Sequence, residues 1–144
     1  MLVDSIQITF DCADPDRLAR WWAAALGYVL PPPPTGHETW EDWLRAADIP
    51  EESWNDAAAI EDPAGVGPRI YFQKVPEPKA VKNRVHLDLA YQKRGMSREE
   101  RRRSVGERVQ WLIEHGATAV GTADDHKGYA VVMQDPEGNE FCVH

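Results

Sequence analysis

One order of elements is read twice along this chain, and that repetition restricts the fold more than any other feature. Residues 3–12 alternate, with Ile6, Ile8 and Phe10 on one side and Gln7, Thr9 and Asp11 on the other, the period of a strand with one buried face. Asp14-Pro15-Asp16 then starts a helix: Asp14 is placed to cap, Pro15 fits the first turn, and Asp16 is favoured by the helix dipole. Leu18, Trp21, Trp22, Ala25 and Leu26 keep helical spacing up to the stop at Gly27. Three strands are predicted after it: Tyr28 to Leu30, closed by Pro31 to Pro34; Ala57 to Ile60; and Arg69 to Val75.

Past the stiff connector Val75-Pro76-Glu77-Pro78-Lys79 the order restarts. From Arg84 to Tyr91, Val85, Leu87 and Leu89 alternate with His86, Asp88 and Ala90. Ser97-Arg98-Glu99-Glu100 is a capping box, and Val105, Val109, Leu112 and Ile113 form an apolar stripe that ends at Gly116. A short strand over Ala117 to Gly121 precedes a hairpin of Tyr129 to Gln134 and Asn139 to Val143, turned at Asp135-Pro136-Glu137-Gly138. An Asp-Pro-x-Gly turn thus falls once in each half, at Asp62 and at Asp135. The expected fold is α+β: two βαβββ modules, about residues 1–76 and 83–144 of a single domain, forming a curved mixed sheet around a central cleft with helices on the outer face.

Composition removes several classes of function. A net charge of -8 argues against nucleic acid and anionic membranes, which need a basic footprint. No run of about 18 apolar residues is present, and the start Met1-Leu2-Val3-Asp4 lacks the basic region of a secretory signal. Two cysteines, Cys12 and Cys142, make no disulfide framework, so a reducing cytoplasm is the expected location. The 42% hydrophobic fraction with six tryptophans is ample for a packed core.

Strand parity assigns the polar faces. The face not covered by a helix carries Gln7, Thr9 and Asp11, then Tyr71 and Gln73, in the first half. In the second half it carries His86, Asp88, Glu140, Cys142 and His144. Such a set either binds a ligand or is simply solvated. Asp11 and Asp88 are the candidate acid–base carboxylates, or else partners of Arg69 and Arg84. Cys12 has the opposite parity and is expected in the core. In the irregular stretch 31–62, Trp40, Trp43 and Trp54 either wall a ligand or pack that stretch onto the body. The Arg101-Arg102-Arg103 run, flanked by Glu99, Glu100 and Glu107, reads as a solvated helix face. Asp124-Asp125-His126 falls in a predicted turn, a cation loop or an ordinary polar one.

The residues together resemble the vicinal oxygen chelate superfamily of glyoxalases, bleomycin-resistance proteins and extradiol dioxygenases, over nearly the whole chain. The carriers are Asp11-Cys12-Ala13-Asp14-Pro15 before Trp21-Trp22 and Leu26-Gly27, Asp62-Pro63 before Arg69 to Gln73, the connector, Lys82 to Leu89, and Asp135 to Val143. Tyr71 to Leu89 is similar to the glyoxalase-like subgroup in particular. The resemblance implies a small-molecule ligand and a homodimer. It also implies a divalent metal at His86, Gln7 and Cys142, or no cofactor at all in a metal-free ligand-sequestering protein. Gln7, Thr9, Tyr71, Gln73, His86, Glu140, Trp40 and Trp43 are the expected ligand contacts. Cys142 stands where metal-using relatives carry a last-strand Glu, which favours zinc over harder ions. The activities implied are a metal-assisted lyase, isomerase or dioxygenase.

Overall fold

A computed structural model describes residues 3–91, 93–126 and 128–144. The chain divides into two compact units, Met1–Pro78 and Lys79–His144, so the boundary falls inside the proline-rich connector. Each unit is built on a mixed sheet, and the α+β class expected from the repeat holds.

In the first unit, strand β1 (Gln7–Cys12) leads into helix α1 (Pro15–Leu26). The Asp14 side chain accepts the Arg17 N–H, and Gly27 closes the helix at φ 73, a left-handed conformation that a Cβ would disfavour. Helix α2 (Trp40–Ala46) follows, then a single 3₁₀ turn (Glu51–Ser53), β2 (Ala57–Ile60) and β3 (Arg69–Lys74). The sheet order is β1-β3-β2, with β1 parallel and β2 antiparallel to β3. Ile70 and Phe72 point inward with Cys12, Leu18, Trp22 and Ala25, and the Trp22 ring lies 5.2 Å from that of Phe10. The strand expected at Tyr28 to Leu30 shrinks to one bridge, Val29 with Glu61. The prolines that follow have no N–H to extend a ladder.

The second unit has β4 (Asp88–Leu89), α3 (Arg98–Glu114), β5 (Thr118–Asp125), β6 (Gly128–Gln134) and β7 (Glu140–Val143) in the order β4-β7-β6-β5. The capping box forms as expected, Ser97 accepting the Glu100 N–H and Glu100 accepting that of Ser97. Val105 and Leu112 of the stripe are buried; Ile113 is 41% exposed. β4 is far shorter than the alternation from Arg84 to Tyr91 suggests. It has one neighbour, β7, and of the expected strand Val85 is 84% exposed. β5 is longer than expected because it pairs with β6 as far as Asp125, and the turn begins only at His126.

The two Asp-Pro-x-Gly turns are closed by their own aspartates. Asp62 accepts the backbone N–H groups of Ala64, Val66 and Gly67, which holds its carboxyl below the usual range. Asp135, buried, accepts those of Glu137 and Asn139 and the Asn139 side-chain amide.

Candidate functional site

The open face of the second sheet gathers three side chains that could ligate a metal. β4 runs parallel to β7 with Asp88 paired to Cys142, so the two side chains leave the sheet side by side. His86 stands two residues before Asp88, and its Nε2 lies 3.1 Å from Asp88 Oδ1. One ligand atom each from His86, Asp88 and Cys142 falls within 4.8 Å of the others. Burial, with the Asp88 carboxylate beside it and hydrogen-bonded to it, pushes the Cys142 thiol up.

The cluster lies in the wall of a cavity of about 750 Å³, a size that suits a small organic molecule. Ala130 and His144 continue the sheet floor, Tyr129 and Asp125 come from the β5–β6 end, and Met96, Arg98 and Arg101 come from the start of α3. The run Arg101-Arg102-Arg103 is exposed, as a solvated face requires, and its first member also lines the cavity. Arg98 donates to Asp124 at 2.8 Å, Arg102 pairs with the other oxygen of that carboxylate, and Arg101 donates from Nε to the Met96 carbonyl at 3.1 Å. The Asp124 pKa is thereby lowered, first by the Arg98 hydrogen bond. The cavity-lining role of Arg101, Asp125 and Tyr129 was not foreseen from the sequence. Its one sequence signal is an arginine run that shares a face with the acidic end of β5.

His86, Asp88 and Cys142 are brought together; Glu140 is absent from the cavity wall. Its carboxylate instead takes Lys79 Nζ at 3.0 Å and the Asn83 N–H at 2.9 Å, and its side chain is 11% exposed. Those bonds, led by the Asn83 N–H, lower its pKa to about 2. In the first unit Gln7, Thr9 and Asp11 sit on the open side of β1, in register with Arg69, Tyr71 and Gln73. Gln7 Oε1 accepts from Arg69 at 2.5 Å, and the Arg69 guanidinium also lies 3.4 Å from Glu61 and over the Tyr71 ring. Arg69, offered by the sequence as a partner for Asp11, is engaged by these groups, while Asp88 pairs with His86 rather than with Arg84. Trp40 and Trp43 meet edge to face at 5.7 Å on α2, and Trp40 Nε1 donates to the Pro31 carbonyl.

The α+β fold with its two mixed sheets is that of a glyoxalase-like protein. The chain belongs to the family described as the glyoxalase-like domain, which it matches over residues 7–144. Among solved structures it is similar to a glyoxalase/bleomycin resistance protein/dioxygenase family enzyme from Burkholderia phytofirmans, at 15% identity and TM-score 0.61, covering 95% of this chain and 94% of that one. It is also similar to a variant of the fosfomycin resistance protein FosX from Listeria monocytogenes, complexed with Mn(II) and 1S,2S-dihydroxypropylphosphonic acid. There the identity is 12% and the TM-score 0.63, with 100% and 92% of the two chains covered. These likenesses establish the fold. No curated protein matches the sequence. No helix among the described residues is long and apolar enough to cross a membrane.

Proposed function

We propose that the protein holds a small organic molecule in the second-unit cavity, beside a divalent-cation site made by His86, Asp88 and Cys142. The observation that carries this is the convergence of an imidazole, a carboxylate and a thiol within 4.8 Å on the cavity wall. Three protein donors of mixed N, O and S type with space on one side match an open zinc site better than a site for a hard ion such as manganese. A cation there would polarise an oxygen of the bound molecule, the chemistry of a lyase, isomerase or dioxygenase. The chain's own part is to fix the donors: the β4–β7 register sets Asp88 beside Cys142, and Asp88 orients the His86 ring.

One observation favours a second reading, a metal-free sequestering protein. Without a cation His86, Asp88 and the raised Cys142 thiol already form a hydrogen-bonded chain, which needs no ion to be stable. Metal analysis separates the two. The protein is loaded with zinc or manganese, desalted and assayed beside His86→Ala. Stoichiometric zinc that disappears on substitution supports the cation site. No retained metal under either loading sinks it and leaves the sequestering reading. The homodimer implied by the family resemblance is tested in the same samples by sedimentation.

A further inference from the structure

From the cavity wall we infer that the molecule bound there is an anion, a small carboxylate or phosphonate whose charged oxygens are held by Arg101. This rests on the reading of the cavity as the ligand site. A net charge of -8 alone would suggest a cationic ligand, but the charges on the wall are distributed otherwise. Two carboxylates, Asp88 and Asp125, and two guanidinium groups, Arg98 and Arg101, line it. Asp88 lies within hydrogen-bond distance of His86, and Arg98 is ion-paired with Asp124. Arg101 differs from both. Its Nε is spent on the Met96 carbonyl, which fixes the guanidinium plane at the rim, and it forms no ion pair among the described residues. Its terminal amino groups are left in a planar fork, the geometry that receives two oxygens of one carboxylate or phosphonate. A cation at the neighbouring cluster would add positive charge on the same wall and favour the same ligand class.

Calorimetric titration of the intact protein with L-lactate and methylphosphonate, against neutral lactamide, tests the inference. The expected result is binding of at least one anion about tenfold or more tighter than lactamide, a preference lost in Arg101→Gln and kept in Arg103→Gln, which lies outside the wall. Lactamide binding as tightly as the anions, no anion binding up to about 10 mM, or full anion affinity in Arg101→Gln would each overturn it. The relative affinities of lactate and methylphosphonate separate a carboxylate ligand from a phosphonate one. Ala130→Phe, on the cavity floor, distinguishes this failure from that of the site itself. If the folded variant binds the anion as well as the wild type does, the cavity is not the ligand site. If it loses binding while Arg101→Gln keeps it, the cavity stands and the arginine assignment falls.

Discussion

The two units place a parallel strand pair at the same point of their fold and use it differently. In the first, β1 lies beside β3 and the neighbours across the pair are Gln7 and Arg69; in the second, β4 lies beside β7 and the neighbours are Asp88 and Cys142. Gln7 and Arg69 satisfy each other, and Glu61 completes the set. An amide oxygen, a guanidinium and a carboxylate close on themselves and leave little to offer a ligand. Asp88, Cys142 and His86 each offer an atom that could ligate a cation, and none of them brings a guanidinium or ammonium group. A parallel first-to-last strand pairing thus carries a closed polar network in one unit, over six residue pairs, and a set of potential metal ligands in the other, over two. The repeat fixes where groups sit; it does not fix what they do.

The largest effect expected from this contrast is on folding. The first unit's core centres on one indole, Trp22, fully buried against Phe10 and Trp21. Trp22→Ala should cost about 3–5 kcal/mol by urea unfolding. In the second unit the load is spread over Leu112, Val131, Met133 and Phe141, all buried, so Leu112→Ala should fall toward the low end of the roughly 2–5 kcal/mol range for such truncations. A larger loss for Leu112→Ala would break the asymmetry.

Next in size is zinc affinity. His86→Ala should weaken it by at least about 100-fold, since removing a direct ligand exceeds the usual cost of losing an outer-shell partner. Gln7→Ala should change it by no more than about twofold, because the Gln7 oxygen is already taken by Arg69. Competition with a chromogenic chelator reads both. Equal losses would mean that the first unit supplies a ligand and that its network opens on binding.

Much of this contrast was legible in the sequence, but not all of it. Asp14, Pro15 and Gly27 bound α1 as their chemistry requires, and the capping box begins α3, because caps depend on residues three or four apart. Parity put His86, Asp88 and Cys142 on one face. That they meet depends on β4 pairing with β7 across 54 residues of chain, a register no local pattern encodes. The same limit explains the misjudged strand lengths. Residues 84–87 alternate like a strand, but β4 has only β7 beside it and its ladder is two residues long. Arg101 is not legible as a cavity residue because a charged run on a helix is ordinarily solvated, and the cavity it lines is completed by residues of the β5–β6 end.

A third difference lies in acid. Glu140 latches Lys79 and Asn83 to β7, and its folded pKa near 2 lies below the usual carboxylate value of 4.5. A depressed folded pKa means that the stabilisation is complete above the unfolded value and is lost as pH falls toward 2. Glu140→Gln should therefore lower the unfolding midpoint at pH 7 and make progressively less difference below about pH 4. Asp62 in the first unit is depressed too, but it belongs to an exposed turn, so Asp62→Asn should show the same direction with a smaller amplitude. A pH-independent deficit in Glu140→Gln would mean that shape, not charge, holds the latch.

The smallest effect concerns the helix starts. Ser97 and Thr39 both accept the backbone N–H three residues on, Ser97 at 3.2 Å and Thr39 at 3.1 Å, so the local bonds are nearly alike. The helices behind them are not. α3 runs for 17 residues and buries Val105 and Leu112, whereas α2 runs for seven and buries none. A cap contributes to global stability only if its helix melts with the core. Ser97→Ala should thus cost about 1 kcal/mol, roughly 2–4 °C in Tm. Thr39→Ala should leave Tm unchanged and speed only the amide exchange of α2, which opens by itself. A fall in Tm with Thr39→Ala would show that α2, with Trp40 and Trp43 on it, is coupled to the cooperative core despite its exposure.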